Sequence, residues 1–184
     1  KAVIVNYDIF GIQSGRLKSI CDQIAKDTGF HVLMPDFFRA NEGINQHGGL
    51  PFTNQSKTWL KQFDSKRIIY DTDLVYKYMK DHGFEIDSYG SVGYCWGAWA
   101  GFHQAATGNI TSHVSAHPSL KVEDLLGGNQ QKMVESVQSR IMLLPAGSDP
   151  DNVKAGGDVE NWVSNVARQK IEIFEFPEMK HGWV

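Results

Sequence analysis

The sequence predicts an α/β protein: a doubly wound, mostly parallel sheet with helices on both faces. Two observations lead there. Short β-branched runs alternate with stretches of helical period along the whole chain, and parallel strands need a helical crossover between them, so this alternation is their signature. The length of 184 residues, 41% of them apolar, suits one domain, which at this size buries roughly 70% of the surface its unfolded chain exposes.

The elements follow in order. Val3–Asn6 reads as a strand. Gly15–Thr28 reads as a helix, with Leu17, Ile20, Cys21, Ile24 and Ala25 on one face and Gly29 placed to end it. His31–Met34 is a strand closed by Pro35, and Asn41–Pro51, rich in glycine, is a loop. A helical stretch is expected around Ser56–Phe63, and a longer one over Ser65–Asp81. Ser88–Val92 is a strand, Trp96–Thr107 a helix and Ser112–Ala116 a strand. A helical region lies within Val122–Gln138. Arg140–Pro145 is a strand, Asp158–Lys170 a helix and Ile171–Phe176 the last strand. There is no repeat, low-complexity tract or linker, so residues 1–184 read as one domain. Both ends look trimmed: there is no initiator Met, and nothing after the last strand reads as a closing helix.

Composition excludes several functions. With 18 Lys+Arg against 21 Asp+Glu, the net charge is −3 with His neutral. Both signs are scattered, which leaves no footprint for nucleic acid or acidic membranes. No apolar run is longer than that of Ile141–Leu144, far short of the ~20 residues that span a bilayer. Two cysteines, Cys21 and Cys95, make no disulfide framework, so a reducing compartment, the cytoplasm, is expected.

In doubly wound sheets the site lies at the carboxyl ends of the strands. There the sharpest signal is Gly93–Tyr94–Cys95–Trp96–Gly97, between a strand and a helix. It matches the nucleophile elbow G-x-nucleophile-x-G with Cys in place of Ser. Glycines are needed because flanking side chains would collide with neighbouring backbone. The turn sets Cys95 at a helix N-terminus, where the dipole favours thiolate, and aims the Trp96 N–H where an oxyanion would form. The competing interpretation is a buried Cys in a Gly-rich turn. A thiol nucleophile needs a base, and the base an orienter. His181 follows the last strand and Asp149 follows the one before, with Asp151 its rival. The chain order Cys95, Asp149, His181 is the nucleophile–acid–base order of α/β-hydrolases.

These residues, with Tyr7–Asp8–Ile9–Phe10–Gly11 and Pro35–Asp36–Phe37–Phe38, resemble the dienelactone hydrolases (carboxymethylenebutenolidases) through nearly the whole chain. The resemblance implies an α/β-hydrolase fold and hydrolysis of a small ester or enol-lactone through an acyl-enzyme. It implies Cys95 as nucleophile, His181 as base, Asp149 as its orienter, and the backbone N–H groups of Ile9 and Trp96 as oxyanion hole. Asp8 stands where the bacterial family members carry a Glu that engages the resting thiol, and is one methylene shorter. The family clamps a substrate carboxylate with arginines. Arg39 is the nearest candidate, one residue out of register; the alternative is a solvated loop arginine.

Arg39, His117 and Phe38 are assigned to substrate binding: His117, with Pro118 and Ser119, as a rim segment after its strand, Phe38 as part of an apolar acyl pocket with Phe37, Phe52, Trp59, Trp96 and Trp99. The competing role for these aromatics is core packing. His113 and His117 are four apart, which on a strand is about 13 Å at ~3.3 Å per residue, too far to share an ion. No metal or cofactor is expected, and no phosphate loop occurs. The expected partner is a small ester or lactone, and the expected state a monomer or weak homodimer. Two other functions compete. A glutamine-amidotransferase-like enzyme also carries Cys on such an elbow, but its His-x-Glu acid is missing here. A catalytically silent scaffold that binds a ligand is the third.

Overall fold

A computed structural model describes residues 1–39, 42–166 and 170–184. Six strands form one sheet: β1 (Ala2–Asn6), β2 (His31–Leu33), β3 (Tyr89–Tyr94), β4 (Ile110–Ala116), β5 (Arg140–Leu144) and β6 (Ile171–Ile173). Their order is β2-β1-β3-β4-β5-β6, and every pair is parallel. The chain therefore starts in the interior of the sheet, steps one way to β2, then crosses back and runs outward from β3 to β6. With right-handed crossovers, this reversal puts the helices of the two halves on opposite faces. It also opens a crevice beyond the carboxyl ends of β1 and β3, the switch point where such sheets bind ligands.

The helices are α1 (Leu17–Thr28), α2 (Asn54–Leu60), α3 (Ser65–Asp81), α4 (Trp96–Ala105), α5 (Val122–Leu125), α6 (Gln130–Glu135) and α7 (Asp158–Ser164). Gly29 ends α1 in the left-handed conformation, its N–H on the Ala25 carbonyl, as a glycine after the last turn does without steric cost. The Asp64 carboxylate caps α3 by accepting from the Arg67 N–H. Helix α4 follows β3 directly and is buried on nearly every side, Trp96, Trp99 and Phe102 included. It packs between the sheet and α3, which explains its almost wholly apolar sequence. Its one buried amide, Gln104, pairs both ways with the Asn6 amide (2.8 and 3.0 Å) and donates to Thr72 (2.9 Å). Strand β1, α4 and α3 are thus locked together by a satisfied polar cluster.

The structure revises several boundaries. The region Val122–Gln138 is two short helices, because Gly127, at φ 85°, turns the chain and Asn129 starts α6 by accepting from the Lys132 N–H. The loop after Asn41 contains a 3₁₀ turn at Ile44–His47, anchored by buried Ile44. The last helix ends at Ser164; the expected continuation through Ala167–Gln169 lies outside the described residues, as does Asn41. The last strand ends at Ile173, and Phe176 rejoins the sheet in a single bridge to Ala146. Among the described residues, no helix is long and apolar enough to cross a membrane.

Candidate active site

Cys95 occupies the turn between β3 and α4 with φ 53° and ψ −113°, a strained conformation for a residue with a side chain. The surroundings hold it there. Its N–H donates to the Ala116 carbonyl (3.2 Å), and its carbonyl accepts from the N–H groups of Ala98 and Ser119 (3.1 Å each). A Cβ at Gly97 would run into the Asn6 and Tyr7 carbonyls, and one at Gly93 into the Gly97 carbonyl. The glycines are therefore what let β1, β3 and α4 close on one another behind the thiol. Trp96 is the first residue of α4, so its N–H has no acceptor within the helix. Ile9 follows β1 and faces the same crevice.

Asp149 follows β5. Its carboxylate is buried and accepts from the Ala146 N–H (2.7 Å) through one oxygen and from His181 Nδ1 (2.6 Å) through the other. Asp151 instead points into solvent and pairs with Lys154. The geometry thus separates the two aspartates that the sequence left as rivals. His181 is positioned by its N–H donating to Ser148 Oγ (2.8 Å). Its pKa is pushed up to about 10, first by the Asp149 hydrogen bond and then by a hydrogen bond with Cys95, against the opposing effect of burial. Nε2, the ring nitrogen turned away from Asp149, lies 3.4 Å from Ser119 Oγ, which is itself 3.3 Å from Cys95 Sγ. Three strand ends, far apart in sequence, bring Cys95, Asp149 and His181 together.

These residues line a cavity of about 470 Å³. Its walls are mostly apolar, with Ile9, Phe10, Leu50, Phe52, Leu120, Val122, Leu125 and Val153 among them. Apart from His181, Lys121 is the one basic residue on its wall among the described residues.

Other sequence-derived candidates lie elsewhere. Arg39 is not in this cavity. Its guanidinium donates to the Asp36 carbonyl and pairs with buried Asp71, and it borders a separate cleft beside Val32, Met34 and Tyr78. A buried carboxylate across from a loop arginine captures it, and no spacing rule foretells that. Phe38 is buried in the core with Tyr7, Trp59, Phe63 and Trp96, and its N–H donates to the Tyr7 hydroxyl (2.7 Å). Of the six aromatic candidates, only Phe52 and Trp96 reach the cavity, where the unforeseen Phe10 joins them. His117 is no rim residue. It is buried, at φ 37°, with its ring edge-on to that of His181 (4.9 Å between centroids). Neither of its ring nitrogens has a hydrogen-bond partner among the described residues. Burial, and then the neighbouring His181, push its pKa down to about 4, so it sits neutral beneath the site. Asp8 accepts from the Phe10 N–H (2.8 Å) and from Ser14 Oγ (3.4 Å). It braces the loop that carries Ile9, and none of its hydrogen bonds among the described residues reaches Cys95. Burial raises its pKa.

His113, the other histidine of the i, i+4 pair, is fully buried between Ser91 (2.7 Å) and Ser115 (2.8 Å). Both of its ring nitrogens are thereby occupied. Of the His117–Pro118–Ser119 segment expected at the rim, Pro118 and Ser119 do line the cavity; no chemical role was expected of Ser119.

The strand order, the strained residue on the turn after β3, and an acid and a histidine beyond the last two strands define an α/β-hydrolase fold. The fold is shared by solved structures. A Klebsiella pneumoniae protein provisionally designated a dienelactone hydrolase superimposes with a TM-score of 0.77 over 98% of this chain and 75% of its own, at 19% identity. The chain belongs to the dienelactone hydrolase family, whose family model matches residues 1–184. It is 35% identical over 109 residues to the carboxymethylenebutenolidase homolog of Rattus norvegicus, covering 58% of this chain and 42% of that protein. The Homo sapiens homolog is 35% identical over 105 residues, with coverages of 56% and 40%. The chain spans about two fifths of the length of these curated relatives.

Proposed function

We propose that the protein is a thiol-dependent hydrolase of small, uncharged esters or lactones with an apolar acyl or alcohol part. The observation that carries this reading is the hydrogen bond that buried Asp149 accepts from His181, beside a thiol held on a strained elbow. Asp149 can only accept, so it fixes the tautomer with hydrogen on Nδ1 and stabilises the imidazolium. On activation the proton of the Cys95 thiol passes to His181, leaving a thiolate beside an imidazolium. The thiolate attacks the ester carbonyl. The oxyanion that forms is met by the N–H groups of Ile9 and Trp96, and His181 gives its proton to the departing alkoxide. Neutral His181 next takes a proton from water, which attacks the thioester and releases the acid and the thiolate. Two free thiols, one of them the nucleophile, suit a reducing compartment such as the cytoplasm.

Substrate polarity follows from the walls. The cavity is lined by aliphatic and aromatic side chains, and Arg39 is committed to Asp71. A carboxylate in that cavity would be desolvated with Lys121 alone to compensate, an unfavourable exchange. The test compares a neutral aryl ester of a short fatty acid, an anionic dienelactone and glutamine, each with wild type and Cys95→Ala. Turnover of the neutral ester, at higher kcat/KM than the anionic lactone and lost in the variant, is expected. Glutamine turnover points to an amidotransferase, and ester turnover surviving in Cys95→Ala overturns the reading.

A further inference from the structure

The residue between the two reacting groups is Ser119. The chain after β4 is stitched to the elbow on both sides: the Cys95 N–H donates to Ala116, and the Ser119 N–H donates to the Cys95 carbonyl. The Ser119 backbone is thereby fixed relative to the thiol whatever its side chain does. The turn that follows uses its carbonyl, which accepts from the Val122 N–H (3.2 Å), and leaves the hydroxyl free for other work. That hydroxyl faces Cys95 Sγ at 3.3 Å and His181 Nε2 at 3.4 Å. Both distances are at the loose end for hydrogen bonds, as unliganded catalytic sites often are before they tighten around substrate.

We propose that the Ser119 hydroxyl bridges Cys95 and His181 and carries the proton between them. The inference rests on the reading of Cys95 as nucleophile and His181 as base. With Nδ1 held by Asp149, Nε2 of neutral His181 is an acceptor. The thiol S–H then donates to Ser119 Oγ, and the Ser119 O–H donates to Nε2. In activation the S–H bond breaks as a new O–H bond forms on Oγ, while the original O–H bond breaks as N–H forms on Nε2. The products are thiolate and imidazolium, and Ser119 is again a neutral hydroxyl. In that charge-separated state the same oxygen accepts from Nε2–H and its O–H donates to the thiolate. A hydroxyl serves both states because it donates and accepts at once; a methyl group serves neither.

The test reads the thiol without any substrate. Cys95 alkylation by iodoacetamide is followed across pH in a Cys21→Ser background, alongside the single-turnover acylation rate with a neutral aryl ester. Ser119→Ala keeps the backbone N–H bond to Cys95 and is expected to fold, as circular dichroism would show. In this variant the alkylation midpoint moves to higher pH and acylation slows by about tenfold or more, with KM little changed. Ser119→Thr, which restores the hydroxyl, returns both towards wild type. Should Ser119→Ala fail to fold, Ser119→Val, which fills the threonine volume without a hydroxyl, is read the same way. An unmoved alkylation profile, with or without lost turnover, overturns the proposal. A shifted profile in a protein that turns over no ester keeps the bridge and discards the ester reading, so the two failures are distinguishable.

Discussion

At the residue scale, the site depends on a division of labour between two aspartates two positions apart. Asp149 is buried with one oxygen on the Ala146 N–H and the other on His181, whereas Asp151 is spent on Lys154 in solvent. Asp149→Asn preserves the shape and can still accept from Ala146 through its amide oxygen. The amide's NH₂ then faces Nδ1 and selects the opposite tautomer, leaving Nε2 protonated and unable to act as a base. We expect kcat to fall by roughly 10³- to 10⁴-fold, the scale on which such tautomer errors act, with thermal stability lowered modestly. Steady-state kinetics and a melting curve on the same preparation check this; a kcat within tenfold of wild type would remove Asp149 from the mechanism. The elbow was legible because such a turn needs glycines at fixed offsets, a constraint written in sequence. Arg39 and Phe38 were misread because their partners, Asp71 for one and the Tyr7–Trp59–Trp96 cluster for the other, come from segments that only the fold brings near.

At the scale of elements, strand and helix types were legible from period, and their boundaries less so. Helix α3 runs from Ser65 to Asp81 as its spacing predicts, because an acidic cap and an unbroken apolar stripe define it. The region between β4 and β5 was read as helical without its break, since Gly127 and the Asn129 cap outweigh the weak periodicity around them. The functional consequence lies at the strand ends. Each group of the proposed mechanism hangs on the loop after a different parallel strand: Ile9 after β1, Cys95 after β3, Ser119 after β4, Asp149 after β5 and His181 after β6. Parallel strands point their carboxyl ends the same way, so one sheet delivers all five to one edge. Ser119 was legible only as part of a rim segment, because hydroxyls at strand ends are common, and only the β3–β4 register shows that this one lands beside the thiol.

At the scale of the whole molecule, three histidines give the fold a pH optimum for stability. Burial lowers the His113 and His117 pKa values to about 4, from 6.5 when unfolded. As pH falls from 6.5 towards 4, the unfolded chain gains protons that the fold refuses, so stability is present above 6.5 and lost on acidification. For fully buried His113 the loss approaches about 3 kcal/mol. His181 has the opposite sign. Its pKa is raised to about 10, so its contribution is complete below 6.5 and fades as pH climbs through about 10. From these groups the stability is greatest near pH 6.5 and declines on both sides. Thermal unfolding at acidic, near-neutral and alkaline pH checks this. His113→Gln should flatten the acid side, and an acid side equally steep in that variant would remove His113 from the account.

The central claim is that Cys95 carries the acyl group. Intact-protein mass spectrometry after rapid acid quench with a neutral aryl ester tests it most directly, followed by peptide mapping of the adduct. We predict one acyl group per chain, on Cys95 and absent from Cys95→Ala, accumulating most in His181→Gln pre-incubated at alkaline pH, where deacylation lacks its base. An adduct mapped to Ser119 or another residue, or ester turnover at the wild-type rate in Cys95→Ala, would contradict the account.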